Sequence, residues 1–252
     1  MDDLLDTAAD WLRDATSVLA ITGAGLSADS GLPTYRGVGG IYEDRDTADG
    51  VPIEVALSGS MFRQDPAITW RTIRRIEGAC RGREPNDGHR ALVWLEDQKD
   101  RVWVLTQNVD GFHRAAGSRQ VIDIHGDLHQ LHCTACRWSE TVADYSGLDE
   151  LPVCPDCGSV VRPKVVLFGE MLPPAALATF QRELARGFDL VLSIGTTSVF
   201  PYIAQPVRHV GLVGGKSIEV NPGVTEVSHA VDLKIPLGAA QTLRALRERL
   251  AP

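Results

Sequence analysis

Short, almost wholly apolar runs recur along the chain, each separated from the next by stretches whose apolar residues fall at helical spacing. Ser17-Val18-Leu19-Ala20-Ile21-Thr22 is the first such run, and residues 102–106, 121–125, 164–168, 190–194, 217–220 and 231–235 are further predicted strands. Helical patterns are predicted over 3–15, 53–79, 87–98, 174–186, 201–208 and 239–250. A strand apolar on both sides needs helices on both faces of its sheet, which points to an α/β fold with a doubly wound, mostly parallel sheet. In such sheets ligands bind outside the carboxyl ends of the strands. A chain of 252 residues has room for between one and two domains of ordinary size.

Two regions break the alternation. Residues 23–50 are too long for a strand-to-helix turn, which marks them as a functional loop. Residues 126–162 hold four cysteines and are expected to form a small inserted module. Cys133-x-x-Cys136 and Cys154-x-x-Cys157 are separated by 17 residues, a spacing that suits a tetrahedral zinc site. Four thiolates leave no open position on the ion, so zinc is expected to be structural. His129 and His132 could compete as ligands; the alternative is two disulfides, which a reducing compartment disfavours, or four ordinary buried thiols. Cys80 stands alone and is given no role.

The formal charge of -8 repels a phosphate backbone on average, so no specific nucleic-acid partner is expected. No apolar stretch is long enough to cross a bilayer, and Asp2, Asp3 and Asp6 stand where a secretory leader carries positive charge. A cytoplasmic protein without a membrane partner is the expectation.

After the first strand, Gly23-Ala24-Gly25-Leu26-Ser27-Ala28 reads G-x-G-x-x-A, a turn that lets backbone N–H groups approach a pyrophosphate. Alone it is a weak signal. The acidic residue that closes a second strand in a dehydrogenase has no counterpart, because Glu43, Asp44 and Asp46 follow no strand pattern. Thr106-Gln107-Asn108-Val109-Asp110 places polar side chains just past another predicted strand. Taken in order, GAGLSADSGLPTYRG, TQNVDGFH, IHG, the paired CxxC module, RPKVVLFGE, SIGTTSVFP and EVNPG resemble the sirtuins, NAD-dependent protein deacylases, over residues 17 to about 240.

That resemblance implies a Rossmann-like NAD-binding domain (1–36, 86–125 and 163–252) with a smaller inserted domain made of a helical part (37–85) and a zinc ribbon (126–162). The implied activity is NAD-dependent deacylation of protein lysine, releasing nicotinamide and O-acyl-ADP-ribose. Carried over by position, Gly23, Ala24, Gly25, Ser27, Tyr35 and Arg36 hold the phosphates and cover the nicotinamide ribose. Gln107, Asn108 and Asp110 surround that ribose, while Gly195, Thr196, Thr197, Asn221 and Pro222 hold the phosphate and adenosine side. His125 is the implied general base and Asn108 its catalytic companion; an imidazole with an ordinary pKa near 6.5 can take a hydroxyl proton near neutrality. The acyl-lysine peptide is implied to add as a strand between Val166-Leu167-Phe168-Gly169-Glu170 and residues 198–201.

Departures from the family pattern bear on the acyl group. Tyr35 replaces a usual phenylalanine and Thr197 a usual serine, both conservative. Gly37-Val38-Gly39-Gly40 is similar to the desuccinylase-like group, but its Tyr-x-x-Arg pair is broken, with Arg71 at the tyrosine position and Arg74 kept. Arg71, Arg74 and Arg75 share a helical face, which is either a solvated basic surface or brings Arg74 to the distal carboxylate of an acidic acyl group. Removal of neutral acyl groups is the expected main activity, with desuccinylation as a further option. The competing readings are a protein ADP-ribosyltransferase and a non-catalytic NAD- or zinc-dependent interaction protein.

Overall fold

The computed structural model describes residues 1–34, 47 and 49–251. The elements run α1 (Asp2–Asp14), β1 (Ser17–Thr22), α2 (Ala24–Ala28), α3 (Ile53–Ala56), α4 (Gly59–Gln64), α5 (Pro66–Cys80), α6 (Asp87–Gln98), β2 (Arg101–Thr106), α7 (Phe112–Ala116) and β3 (Val121–Asp123). They continue with β4 (Gly126–Cys133), β5 (Ser139–Thr141), β6 (Val161–Val165), α8 (Pro174–Ala185), β7 (Leu190–Ile194), α9 (Pro201–His209), β8 (Lys216–Val220), β9 (Leu233–Ile235) and α10 (Ala239–Leu250).

Six strands form one sheet in the order β3-β2-β1-β7-β8-β9, and all its pairings are parallel. The chain leaves β1 in one direction through β2 and β3 and later returns beside it as β7. The order therefore reverses between β1 and β7, and a crevice opens at their carboxyl ends. Helices α1, α6 and α10 cover one face, where Leu12, Leu92 and Leu243 pack on Val18, Val104 and Ile218. Phe180, Ile203 and Val207 from α8 and α9 cover the other, against Leu19, Ile21 and Leu105.

A second, antiparallel sheet has the order β5-β4-β6 and packs with α3, α4 and α5 around a separate core. Trp70 ties the two parts of that core together: it is fully buried, donates from Nε1 to the Val161 carbonyl at 2.8 Å and meets Tyr145 edge-on at 5.5 Å. Tyr145 in turn donates its hydroxyl to the Leu128 carbonyl.

Several sequence expectations shift. The helical pattern over 53–79 is three helices, since Ser58 caps α4 by accepting from Met61 N, and Asp65 caps α5 just before Pro66. The strand expected at 164–168 lies at Val161–Val165 and pairs with β4 rather than with the parallel sheet, so it crosses the boundary expected between 162 and 163. β3 stops at Asp123, leaving His125 in the turn that leads to β4. No helix among the described residues is long and apolar enough to cross a membrane.

Candidate active site

A cavity of about 740 Å³ opens at the carboxyl ends of β1, β2 and β7 and runs between the two sheets. Its floor is built from very close backbone approaches. A Cβ on Gly25 would lie 2.7 Å from the Gly195 Cα, and Gly195 itself adopts φ +58 with the Leu26 N only 2.6 Å from where its Cβ would be. Only glycine fits at either place. The expected phosphate-facing N–H groups are partly used inside this turn, because Gly23 N donates to Ile194 O at 3.1 Å and Gly25 N to Gly195 O at 2.8 Å. These two glycines thus shape the crevice by letting α2 start against the end of β7.

Beside them, Gln107 donates from Nε2 to Thr196 Oγ1 at 2.8 Å, and Asn221 donates from Nδ2 to Thr196 O at 3.1 Å. Ala24, Thr197 and Pro222 also line the cavity. Asn108 commits both amide hydrogens, to Gly23 O at 3.1 Å and Ser27 Oγ at 3.0 Å, so its carbonyl oxygen is the polar group left for a ligand. Ser27 and Asp110 are placed differently from expectation. Ser27 Oγ donates to Asp110 Oδ2 at 2.6 Å, and both sit behind the cavity wall around a small void of about 20 Å³. Burial pushes the Asp110 carboxyl upward, against the pull of its Ser27 and Phe112 donors. They buttress Asn108 and do not line the cavity.

His125 reaches the cavity from the turn after β3. Its Nδ1 lies 3.1 Å from the Gln107 carbonyl and its Nε2 2.7 Å from the hydroxyl of Tyr202, a residue the sequence reading did not single out. Burial lowers the His125 pKa, with the Gln107 carbonyl opposing it, so the ring is neutral at pH 7.

The expected peptide-binding segment also lines the cavity through Val166, Phe168, Gly169 and Glu170. Much of its backbone is already paired. Val166 N donates to His125 O, Phe168 N to Leu57 O, and Gly59 N to Phe168 O, at 2.9, 2.9 and 3.0 Å. The Glu170 carboxylate is held by Arg162 at 2.7 and 3.0 Å and by Leu167 N at 3.0 Å. An added strand is left the Val166 carbonyl and Gly169. Across the groove Ser198 takes φ +54, a left-handed conformation uncommon outside glycine, and donates its N–H to Thr196 Oγ1 at 3.2 Å.

Arg74 does not reach the cavity, which corrects its expected role with acidic acyl groups. Its guanidinium donates to the carbonyls of Tyr145 at 3.1 Å and Leu148 at 3.2 Å, also to Asp149, and lies over the Trp70 ring. Arg71 pairs with Asp49 at 2.6 Å instead. Ile73 and Ile76 are the α5 residues that face the cavity. Tyr35 and Arg36 lie outside the described residues.

The four paired cysteines converge. Their sulfur atoms all lie within 4.8 Å of one another, with Cys133 to Cys157 at 3.4 Å and Cys136 to Cys154 at 3.5 Å. Zinc–sulfur bonds of about 2.3 Å put tetrahedral sulfurs roughly 3.8 Å apart, so the set fits that ion. The N–H groups of Ala135 and Cys136 point at Cys133 Sγ, both at 3.3 Å, as thiolate ligands require. No disulfide forms, and among the described residues neither His129 nor His132 belongs to the cluster.

The sequence model of the Sir2 family matches residues 23–201. The chain belongs to the Sir2 family. Among its Sir2 relatives, a protein from Pseudomonas aeruginosa named NAD-dependent protein deacylase 2 is 52% identical over 237 residues, covering 91% of this chain and 90% of that one. An NAD-dependent protein deacylase from Thermococcus kodakarensis is 36% identical, with 98% and 96% of the two chains covered. Of solved Sir2 structures, a Sir2 homologue–NAD complex superposes with a TM-score of 0.87 at 34% identity, over 97% of this chain and 93% of that one. A Sir2–p53 peptide–NAD+ structure gives 0.83 at 29% identity, over 97% and 98%.

Proposed function

We propose that this chain is an NAD-dependent protein-lysine deacylase, with NAD at the β1/β7 switch point and the acyl-lysine peptide between the two sheets. The observation that carries the reading is a neutral, partly buried His125, oriented by a backbone carbonyl, in a cavity whose floor is the Gly23–Gly25–Gly195 turn. Bound NAD supplies a glycosidic bond whose cleavage frees nicotinamide and leaves a carbon able to take the acyl oxygen.

The chain's own residues do the rest. Gly23, Ala24, Gly25, Thr196, Thr197, Asn221 and Pro222 shape the phosphate and adenosine end of the cavity, and Gln107 and Asn108 bracket its middle. His125 holds the lone pair that accepts a hydroxyl proton. Zinc, on Cys133, Cys136, Cys154 and Cys157, holds β4 and β6 so that His125 and Val166 are correctly placed. Four unbridged thiols are the state a reducing cytoplasm maintains.

The acyl group is a neutral one. Beyond His125 the cavity is lined by Leu57, Ile73, Ile76, Leu128, Val165 and Leu167. Asp29 and Glu170 are the acidic side chains on the described wall, and Lys and Arg are missing from it. A succinyl carboxylate would meet no cationic partner among the described residues, which is costly for a desolvated charge. Acetyl and butyryl peptides should therefore give kcat/KM values above that of a succinyl peptide by tenfold or more, and a faster succinyl reaction would refute the neutral preference.

His125→Ala should retain NAD binding and lose turnover by about 10² to 10⁴, the usual consequence of removing a general base. Isothermal titration and a nicotinamide-release assay on the same preparation check both halves. Near-normal release from the variant would remove His125 from the mechanism.

A further inference from the structure

The basic nitrogen of His125 is already engaged. The Gln107 carbonyl can only accept, so His125 Nδ1 carries the ring hydrogen and Nε2 carries the lone pair. That lone pair receives the hydroxyl of Tyr202 at 2.7 Å. Burial pushes the Tyr202 phenol up to about 12, so at neutral pH it is protonated and donates. Its ring is fixed by near-parallel stacking on Phe200 at 5.5 Å, both rings meet His125 edge-on, and Pro201 starts α9 between them. Tyr202 also lines the cavity, as His125 does.

Resting on the assignment of His125 as general base, we infer that Tyr202 is a catalytic proton relay. A substrate hydroxyl transfers its proton to Tyr202 Oη as Tyr202 transfers its own to His125 Nε2. The substrate O–H bond and the original tyrosine O–H bond break, while a new tyrosine O–H and an imidazole N–H form. Tyr202 stays neutral, the positive charge ends on His125 and the negative charge on the substrate oxygen. Direct transfer to Nε2 would first require the 2.7 Å hydrogen bond to break. The other groups against the ring, the Gln107 carbonyl and the Phe200 edge, are uncharged, so Tyr202 is its titratable contact among the described residues.

Tyr202→Phe keeps the ring and removes the hydroxyl. In the ligand-free protein, nitrogen-15 NMR of the imidazole should show the Nδ1–H tautomer in both forms, with the Nε2 resonance shifted in the variant. The His125 pKa should rise, since the donor that favours the neutral ring is gone. With NAD and an acetyl-lysine peptide, kcat should fall about 10- to 100-fold, by more than any change in KM, and a curved dependence of rate on deuterium fraction should become linear. An Nε2–H tautomer in the parent protein, an Nε2 resonance that ignores the substitution, or kcat within twofold of the parent would overturn the relay. If His125→Ala is inactive while Tyr202→Phe is fully active, the relay alone fails. If His125→Ala stays active, the general-base assignment fails, and the relay with it.

Discussion

Two imidazoles outside the cavity show how burial sets charge at single residues. His89 and His113 are almost fully buried with ring centroids 4.9 Å apart; His89 Nδ1 accepts from Asn86 N at 3.2 Å at the start of α6, and His113 Nε2 meets Thr22 Oγ1 at 2.9 Å. Burial, then the nearby Arg90, lowers His89 to about 4, and burial holds His113 well below its ordinary value. A histidine with a lower pKa when folded takes up its proton preferentially in the unfolded chain. Its stabilising effect is complete above about pH 6.5 and is lost as pH falls toward the folded value. For His89 that amounts to roughly 3 kcal/mol between pH 6.5 and 4. Asp110 and Asp123, raised by burial, act in the opposite sense, so the test is a comparison of two proteins. His89→Gln, which can keep the reciprocal cap with Asn86, should flatten the fall in urea-unfolding free energy between pH 7 and 5; equal slopes in both proteins would contradict this. At this scale sequence served unevenly. His125 was singled out by its motif, but nothing in residues 198–202 announces that the Tyr202 hydroxyl meets a ring 77 positions away. Arg74 was legible as a residue of α5, whereas its direction depends on carbonyls of the 145–149 segment that no helical periodicity reveals.

Among the elements, the β1–α2 turn and the zinc-bearing strands bear most directly on the site. Gly25→Ala would force the turn away from Gly195, whose Cα and O lie 2.7 and 2.8 Å from the new methyl. Overpacking of this kind costs about 1–3 kcal/mol, and NAD affinity should fall with it; a fully stable variant with normal NAD titration would show that the close approach is dispensable. Cys154, buried at the centre of the cysteine cluster, carries the second element-scale prediction. Cys154→Ser or prolonged chelation should release one zinc per chain and loosen β4 and β6, read as lost near-ultraviolet dichroism from Trp70 and Tyr145. Metal analysis without zinc, or unchanged dichroism after its removal, would refute a structural ion. Strands β1 and β7 match their sequence expectation residue for residue because short, almost wholly apolar runs are what a central parallel strand demands. β4 went unread because its leucines, Leu128 and Leu131, stand three apart across a register shift instead of at the two-residue spacing of a regular strand. β6 was misplaced because Pro163 and Lys164 interrupt its apolar pattern.

At the scale of the whole molecule, the reversal of strand order at β1 and β7 places a crevice on one side of the cavity, and the antiparallel sheet with α5 closes the other. The parallel sheet was legible because its alternation is local; the closing wall was not, since Ile73, Leu128 and Leu167 come from separate stretches and meet only through the small core. NAD cleavage should depend on a peptide seated against that wall. Incubation with NAD and an acetyl-lysine peptide, following nicotinamide, peptide mass and protein mass together, tests this most directly. One nicotinamide per acetyl group removed, with little release in the absence of peptide and no mass added to protein, is the predicted result. Nicotinamide released without deacetylation, or ADP-ribose appearing on protein instead, would contradict it.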